Sequence, residues 1–280
     1  MPDPRGILSI VATPIGNLDD MTYRAVQTLR EAAIIACEDT RHTRKLLTHF
    51  DIRTPTVSLH EHNEAARTRE LLARLNAGDS VALVSDAGTP LISDPGYRLV
   101  REAAAQNIRV MPVPGASALL AALAGAGLPT DAFRFCGFLP RKQGERRRLL
   151  ESLAGETATL VFYEAPHRVL ESLADIAEAR RDPEVAAARE LTKMHEEFIR
   201  GKASEVRAVL AARDTVRGEF TLVVGPAPAA AGQPATAAAA VRALEAEGLS
   251  RMDAIKQVAR DRGRPKREVY AEVERAERRR

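Results

Sequence analysis

"VALVSDAGTPLISDPGYRLV", residues 81–100, begins as a strand and then changes character. Its first four residues form an apolar run in which β-branched side chains favour a buried strand. Two turn sequences rich in Asp, Gly and Pro follow at residues 85–90 and 94–97, although one would suffice to end a strand. The segment is either a long crossover before a helix that begins near Tyr97, or a ligand loop at the carboxyl end of a parallel strand.

Apolar runs alternate with amphipathic helical patterns on both sides of this stretch. Val26, Leu29 and Ala33, for example, share one face of a predicted helix. Strand, helix and strand repeated in this way indicate an α/β domain with a largely parallel sheet. The predicted strands of this domain are residues 7–11, 33–37, 56–60, 81–85 and 109–113.

A second group of strand-like runs follows PVPGAS at residues 112–117, and its members lie closer together. That spacing predicts a mixed sheet with hairpins in a second α/β domain. The runs are residues 133–138, 158–164, 184–190, 196–201 and 218–225.

The last part of the chain begins with a Pro- and Ala-rich segment, residues 226–240, which is typical of a linker that runs into a helix. Gly248 can end that helix, Ser250 can cap the next one, and Pro265 can open a third with a basic first turn. This order is typical of a helix-turn-helix that binds nucleic acid. A purely structural cap explains the pattern equally well.

The chain has 280 residues, of which 45% are hydrophobic and 28% charged, and this suits two globular domains and a tail. No apolar stretch approaches the length of a membrane span, and the N-terminus lacks the features of a signal peptide. Cys37 and Cys136 have no spaced partners, which argues against disulfides or a Cys-based zinc site and fits a reducing cytoplasm. We expect an N-terminal α/β domain over 1–114, a C-terminal α/β domain over 115–226, a linker over 227–237 and a helix-turn-helix-like tail over 238–280.

Positive charge is concentrated in two places. Residues 241–280 hold 12 Lys or Arg and 8 Asp or Glu, whereas the net charge of the whole chain is +3. The segment FLPRKQGERRRLL, residues 138–150, is also strongly basic. Both segments are either solvated surface or binding sites for phosphates of a polyanion. Because the chain has no Trp and only 4% aromatic residues, an aromatic platform for stacked bases is disfavoured.

Two strand ends lack the common nucleotide-binding signatures. The turn VATPIGNLDD, residues 11–20, contains neither G-x-G-x-x-G nor G-x-x-x-x-G-K-[ST], so nicotinamide and P-loop nucleotides lose their main support. Pro14 and Gly16 suit a tight turn there. The small residues 115–117 let backbone N–H groups approach either a ligand or a closely packed helix.

Acidic and basic side chains gather after the second predicted strand, in ACEDTRHTRKLLTHF at residues 36–50. A helix cap explains Asp39, but not the presence of acid, guanidinium and imidazole together at one strand end. HEHNE at residues 60–64 adds two His residues. No third ligand has a regular spacing to them, so the pattern favours a substrate rim over a metal site.

Eight sequence blocks occur in one order over about residues 8–225 and together resemble one family. They are TPIGNLDDMTYRA, ACEDTRHTRKLL, HEHNE, VSDAGTPLISDPGYRLV, PVPGASA, FCGFLPRK, FYEAPHR and RELTKMHEEFIRG. The chain is thereby similar to the ribosomal RNA small subunit methyltransferase I family of the tetrapyrrole methylase superfamily. Its tail also resembles the C-terminal helical domain of many members.

The resemblance implies two α/β domains of the tetrapyrrole methylase type with S-adenosylmethionine in the cleft between them, plus a small C-terminal helical domain. It also implies a homodimer without membrane attachment. The implied reaction is methyl transfer to the ribose 2′-hydroxyl of a cytidine in the decoding region of 16S rRNA, within the small ribosomal subunit. Carried onto this sequence, the cofactor-binding residues are Pro14, Asp86, Gly88, Thr89, Ser117, Ala118, Tyr163 and Leu191.

Methyl transfer from a sulfonium requires the sulfur, the methyl carbon and the attacking oxygen in line, and such alignment contributes about 7–11 kcal/mol. A ribose hydroxyl is a weak nucleophile, so a base or a nearby cation should assist it. The candidate catalytic residues are Glu38, Asp39, Arg41, His42 and Glu164. The candidate RNA-binding residues are Arg141, Lys142, Arg146, Arg147, Arg148, Lys266 and Arg267. No metal is expected.

Two alternative functions remain open at this level. A methylase of a tetrapyrrole precursor is disfavoured because SDAGTP, residues 85–90, stands where those enzymes have a Gly-Asp-Pro loop. That alternative also leaves the basic segments unexplained. A non-catalytic rRNA-binding factor with the same fold would bind RNA but transfer no methyl group.

Overall fold

The structure is a computed structural model that describes residues 5–227, 236–246 and 248–278. Most of the linker predicted at residues 227–237 lies outside the described residues. The chain divides into two units, Met1–Ala227 and Pro228–Arg280. In the described part of the chain, no helix is both long enough and apolar enough to cross a membrane.

The first sheet contains the strands β1 (Leu8–Val11), β2 (Ile34–Cys37), β3 (Thr56–Ser58), β4 (Val81–Leu83) and β5 (Val110–Val113). All are parallel, in the order β3-β2-β4-β1-β5. β1, β2 and β4 are buried along their whole length, as expected of central strands covered on both faces. The predicted parallel sheet is confirmed, and each predicted strand overlaps an observed one.

Helices cover both faces of this sheet, with α1 (Tyr23–Glu31) and α2 (Thr40–His49) on one and α3 (Glu64–Asn76) and α4 (Tyr97–Ala105) on the other. Leu47 of α2 packs with Ile35 and Val84, whereas Leu99 of α4 packs with Leu83. The alternating strand residues therefore feed two separate layers of core.

The buried face predicted for α1 is partly wrong. The helix ends at Glu31, so Ala33 lies beyond it and is exposed. Ala25 takes its place and is fully buried beside Leu29. Thr22 fixes this start, because its Oγ1 accepts a hydrogen bond from the Ala25 N–H at 3.1 Å.

The second sheet contains the strands β6 (Phe133–Phe138), β7 (Thr159–Glu164), β8 (Glu184–Arg189), β9 (Glu197–Lys202) and β10 (Phe220–Val224). Their order is β6-β7-β10-β8-β9, with β6 parallel to β7 and the other pairs antiparallel. The flanking helices are α5 (Ala118–Ala126) on one face and α6 (Gln143–Ser152), α7 (Val169–Arg180) and α8 (Ala203–Ala211) on the other. The prediction of a mixed sheet with hairpins is confirmed.

Arg146 on α6 belongs to a buried ionic network, which corrects its predicted role in RNA binding. Its side chain is fully buried, and its Nε donates to Asp175 Oδ2 at 2.7 Å. Arg147 Nε donates to Oδ1 of the same carboxylate at 2.8 Å. Burial raises the pKa of Asp175, but the hydrogen bonds from Arg147 and Arg146 outweigh it and hold the pKa below its ordinary value. The network joins α6 to α7 and leaves the Arg146 side chain inaccessible to an external ligand.

The second unit contains three helices, α9 (Ala237–Ala246), α10 (Arg251–Asp261) and α11 (Lys266–Arg278), within its described residues. Ser250 caps α10 as predicted, since its Oγ accepts a hydrogen bond from the Asp253 N–H at 3.3 Å. Val241, Ile255 and Val269 are fully buried and give these helices a common core.

Removing Arg146 should destabilise the protein far more than removing its exposed neighbour Arg148. Arg146→Ala leaves the buried Asp175 carboxylate without its closest partner, so the free energy of unfolding should fall by about 3–5 kcal/mol. Arg148→Ala should change it by less than about 0.5 kcal/mol. Urea unfolding followed by circular dichroism measures both variants. Equal effects would contradict the structural role of the Arg146–Asp175 pair.

Candidate functional site

Two backbone hydrogen bonds join the loops that follow β1 and β4. The Thr13 N–H donates to Gly88 O at 2.9 Å, and the Gly88 N–H donates to Thr13 O at 3.0 Å. The loop after β2 is attached to the same place, because the Asp39 N–H donates to Asp86 Oδ1 at 3.1 Å. Residues from three strands thus converge at the carboxyl edge of the first sheet, where open α/β sheets bind ligands.

The second acidic turn of the loop after β4, at residues 94–97, is held by a hydrogen bond of its own. The Gly96 N–H donates to Glu64 Oε1 at 3.0 Å, so the HEHNE segment holds the start of α4. Before this anchor, Leu91 and Ser93 have φ values of 74° and 72°, in the left-handed region that such residues rarely adopt. Each costs about 1–3 kcal/mol, and backbone strain of this kind concentrates at functional sites.

A cavity of about 420 Å³, here called the Thr89 cavity, opens beside this loop and takes residues from both sheets of the first unit. Pro14 lines a neighbouring cavity, and Leu191 lines a small recess that shares Ile15 and Ala118 with the Thr89 cavity. The structure thus brings all the predicted cofactor-binding residues around adjoining spaces. Those that line the Thr89 cavity itself are Asp86, Gly88, Thr89, Ser117, Ala118 and Tyr163.

Sequence reasoning missed several residues of the Thr89 cavity. The second acidic turn could have indicated Asp94, because it provides a carboxylate that turn formation does not need. Phe138 of β6 and Thr221 of β10 carried no local signal, since they reach the cavity from the other sheet. The Phe138 ring stands 5.5 Å from the Tyr163 ring, centroid to centroid. The missed residues are Ile15, Ala87, Ile92, Ser93, Asp94, Phe138, Ala165, Pro166, Glu219, Phe220 and Thr221.

Asp94 is half-buried in the wall of the Thr89 cavity. Loss of hydration raises the pKa of its carboxyl to about 6. A hydrogen bond with Ser85 opposes this shift, and the charges of Glu38 and Asp86 add to it. Asp94 therefore changes its charge close to neutral pH, inside the candidate ligand site.

A second cavity of about 370 Å³, here called the His42 cavity, adjoins the Thr89 cavity. Its other wall combines apolar side chains with the basic residues His42, Lys45 and Lys193. Two spaces of ligand size therefore share a wall at the carboxyl edge of the sheet. The residues common to both are Ile15, Asp86, Ala87 and Glu219.

The candidate catalytic residues after β2 have distinct surroundings. Asp39 accepts hydrogen bonds from the side chain and the backbone N–H of Arg41, and these lower the pKa of its carboxyl to about 2. The Asp39–Arg41 pair therefore caps the start of α2. Burial raises the pKa of the Glu38 carboxyl, and the charge of Asp86 raises it further. Of this group, His42 lines a cavity.

Glu164 does not fit the catalytic role predicted for it. Its side chain is fully buried, and its Oε1 pairs with Arg168 Nη2 at 2.5 Å and accepts a hydrogen bond from the Ala165 N–H at 2.8 Å. The other oxygen, Oε2, accepts a hydrogen bond from Ser172 Oγ at 2.6 Å. Both oxygens are therefore occupied, and Glu164 orders the turn after β7 at the rim of the Thr89 cavity.

The other predicted RNA-binding residues differ in whether an acidic side chain compensates their charge. Arg147 is half-exposed but pairs with Asp175 and with Glu178, so its charge is largely compensated. Lys142 is exposed and pairs with Glu145 at 3.2 Å. Of the predicted RNA-binding residues, four are exposed and have no ion pair within the described residues: Arg141, Arg148, Lys266 and Arg267.

The HEHNE segment has structural contacts that explain it. Asn63 Oδ1 accepts a hydrogen bond from the His60 N–H at 2.9 Å. The His60 and His62 rings stand 6.0 Å apart. Across the described ranges of the chain, no group of three or more His, Cys, Asp or Glu side chains could hold a metal ion.

Replacing Asp94 with Asn should stabilise the protein in a pH-dependent way. The folded-state pKa of about 6 lies above the ordinary value of 3.8, so the folded state disfavours the ionised form. The advantage of Asp94→Asn over the wild type should grow as the pH rises from 4 to about 6 and then stay level. After discounting for solvent exposure, it should reach about 1 kcal/mol.

Urea unfolding at pH 4.5 and pH 7.5 measures this difference. Asp131→Asn, at an exposed position, is the matched control for the loss of one carboxylate. A constant difference between Asp94→Asn and the wild type at both pH values would show that Asp94 ionises normally.

Comparisons with known proteins give a consistent result. Residues 8–207 match the family model of tetrapyrrole (corrin/porphyrin) methylases. Over 269 residues the chain is 50% identical to ribosomal RNA small subunit methyltransferase I of Synechocystis sp., covering 95% of this chain and 96% of the relative. The protein of the same name from Halalkalibacterium halodurans is 49% identical over 275 residues, covering 96% of this chain and 94% of the relative.

A solved structure shares the fold. It is the uroporphyrin-III C-methyl transferase from Thermus thermophilus complexed with S-adenyl homocysteine, with a TM-score of 0.55 and 21% sequence identity. The similarity covers 79% of this chain and 97% of that one. The two-sheet architecture is therefore that of this structure.

Proposed function

From the premise that the chain belongs to the tetrapyrrole methylase family, in its ribosomal RNA small subunit methyltransferase I group, we propose a specific methyl transfer. The donor is S-adenosylmethionine. The acceptor is the ribose 2′-hydroxyl of a cytidine in the decoding region of 16S rRNA, within the small ribosomal subunit. The proposal includes a homodimer that acts in the cytoplasm, and sedimentation of the full chain tests its oligomeric state.

The shape of the Thr89 cavity supports S-adenosylmethionine as its ligand. Its volume of about 420 Å³ is in the usual range of small-molecule sites. Gly88 has a φ of +77°, and a Cβ there would lie 3.2 Å from Ile15 Cγ2. Together with Ala87 and Ala118, this glycine leaves the backbone accessible to a ligand.

The charge and aromatic character of the same cavity suit this cofactor. The Asp86 and Asp94 carboxylates line it and complement an ammonium and a sulfonium group. Phe138 and Tyr163 offer aromatic rings beside them. The convergence of these residues with the strained loop 85–96 is the observation that carries the proposal.

The first contribution of the protein is to position the reactants. When bound, S-adenosylmethionine would supply a methyl group attached to a sulfonium sulfur, and that sulfur would leave as a thioether. The Thr13–Gly88 hydrogen bonds and the Asp39–Asp86 hydrogen bond hold the surrounding loops fixed. Rigid alignment of this kind contributes about 7–11 kcal/mol to lowering the barrier, which exceeds what one base supplies.

His42 is the proton acceptor in this proposal. It is exposed at the cavity that adjoins the Thr89 cavity, and an imidazole nitrogen accepts the proton of the 2′-hydroxyl as the oxygen attacks. The Arg41–Asp39 pair holds the first turn of α2, on which His42 stands. Arg41 and Asp39 are then positioning residues.

Single substitutions should separate cofactor binding from methyl transfer. Asp86→Ala should raise the dissociation constant for S-adenosylmethionine about tenfold or more, because it removes a carboxylate of the Thr89 cavity. His42→Ala should lower kcat by about 10²–10⁴-fold and leave that dissociation constant near the wild-type value.

Calorimetry measures cofactor affinity, and transfer of tritiated methyl groups to unmodified small ribosomal subunits measures the rate. Nuclease digestion then locates the label on a cytidine ribose. Loss of cofactor affinity in His42→Ala would show that His42 contacts the cofactor and not the acceptor. A wild-type protein that binds RNA but transfers no label would be a non-catalytic binding factor.

The C-terminal helices should assist RNA binding without serving the cofactor. Lys266 and Arg267 are exposed at the start of α11, whereas the second sheet is complete at Val224. A chain that ends at Pro228 should remain soluble and bind S-adenosylmethionine normally, but bind and methylate the ribosomal subunit less well. Lys266→Ala/Arg267→Ala in the full chain is the milder variant. Full activity of both at physiological salt would exclude this role.

A further inference from the structure

We propose that the His42 cavity receives the acceptor nucleotide of the RNA, and that the exposed face of α2 binds the phosphates on either side of it. RNA as the substrate rests on the proposed function, whereas the location of the site rests on the contacts described next. Neither Arg44 nor Lys45 was a candidate from the sequence.

Helix α2 has a basic face next to the cavity. Its sequence, TRHTRKLLTH, holds five Arg, Lys or His residues and no acidic one. Arg44 and Lys45 lie three and four residues after Arg41, so both are its neighbours on one side of the helix. All three are exposed.

Two of these charges are uncompensated. Arg41 pairs with Asp39 at 2.9 Å, but within the described residues Arg44 and Lys45 have no acidic partner. Lys45 also lines the His42 cavity itself. A cation without a partner keeps its full attraction for a phosphate, so the face around Arg44 and Lys45 suits the RNA backbone.

The walls of the His42 cavity suit a base or ribose that has left its stack. Pro14, Ile15, Leu18 and Leu46 contribute apolar surface, and the volume is about 370 Å³. Single-stranded RNA is commonly recognised through bases splayed into such sites. Because the chain has no Trp, apolar walls take the place of an aromatic platform.

Thr43 is an independent sign of a polar ligand. Its side chain is 3% exposed and lines the His42 cavity. Apart from an interaction with the Cys37 thiol, a weak partner, its Oγ1 has no hydrogen bond within the described residues. An unsatisfied buried hydroxyl destabilises the folded protein, and a hydrogen bond to a polar atom of the nucleotide would satisfy it.

Lys193 lines the same cavity but is not a phosphate site. Its Nζ donates to Glu190 Oε1 at 2.9 Å and to Glu219 Oε2 at 3.0 Å, so its charge is compensated. Its aliphatic chain covers Gly16, where a Cβ would lie 2.4 Å from Lys193 Cγ. Lys193 therefore forms a wall between the turn after β1 and the second sheet.

The position of the cavity matches the chemistry of the acceptor. Asp86 and Ala87 separate the His42 cavity from the Thr89 cavity and line both. A ribose held in the first can thus face a methyl group delivered from the second. His42, which lines the same cavity as Lys45, reaches the hydroxyl of that ribose in this arrangement.

Charge removal on α2 tests the phosphate sites. Arg44→Ala/Lys45→Ala should weaken binding of a fluorescein-labelled single-stranded RNA of the decoding-region sequence about tenfold. The slope of log affinity against log salt should flatten by about 1.4 units, since each lost phosphate contact removes about 0.7. The matched control is Arg69→Ala/Arg98→Ala. It removes two exposed charges without an acidic partner within the described residues, from α3 and α4 on the opposite face of the sheet.

Filling the cavity tests the nucleotide site. Leu18 is 40% exposed and lines the His42 cavity but not the Thr89 cavity, so Leu18→Trp should fold and occupy the space. It should reduce RNA affinity and methyl transfer at least tenfold, with the dissociation constant for S-adenosylmethionine within twofold of the wild type. Leu18→Ala should change each value less.

The outcomes distinguish the site from the proposed function. Equal salt slopes in the α2 double variant and in the Arg69→Ala/Arg98→Ala control would overturn the phosphate sites. A parallel loss of cofactor affinity in Leu18→Trp would assign the His42 cavity to the cofactor and overturn the nucleotide site. If the wild type binds RNA through α2 but transfers no methyl group, the proposed function fails and the RNA site stands.

Discussion

The reciprocal hydrogen bonds between Thr13 and Gly88 are the constraint on which the whole site depends. They join the loops after β1 and β4, which are neighbouring strands of the first sheet. The junction brings Ile15 against Gly88 and sets Asp86 and Ala87 between the two cavities. Because backbone atoms make these bonds, the side chains around them remain available for ligands. Of these two residues, Gly88 is the one whose identity is restricted, since its positive φ favours glycine.

A single turn could end β4, so the second turn of residues 85–96 has to be explained by the cavity. Leu91 and Ser93 hold left-handed conformations that isolated peptides disfavour. The anchor at Gly96, to Glu64 of α3, keeps the chain in this path. The result is a carboxylate, Asp94, placed where its ionised form is poorly hydrated. The strained segment therefore places a titratable carboxylate in the wall of the Thr89 cavity, in addition to reversing the chain.

The fold could be predicted because strands and helices leave periodic patterns in the sequence, and the carboxyl ends of parallel strands meet by geometry. Asp86, Thr89 and Ser117 follow such strand ends, whereas their role in cofactor binding rests on the family resemblance and stays a prediction. Phe138 and Thr221 could not be predicted, since no local pattern tells which residues of the second sheet reach the first. Burial of charge was equally invisible. Glu164 and Arg146 are residue types that often serve in catalysis or binding, but here both are buried in ion pairs. Only the packing of the folded chain shows these ion pairs.

Those networks also decide which basic residues can contact RNA. The segment at residues 138–150 is densely basic, yet Arg146 and Arg147 are occupied by Asp175. Helix α2 has fewer positive charges, but Arg44 and Lys45 are uncompensated. A phosphate gains little by binding a cation that already has a carboxylate partner, because it must displace that partner. Free charge, and not charge density, should therefore determine where the RNA backbone lies on the first unit. Arg44 and Lys45 supply such charge beside His42, and Arg141 and Arg148 supply it in the segment at residues 138–150.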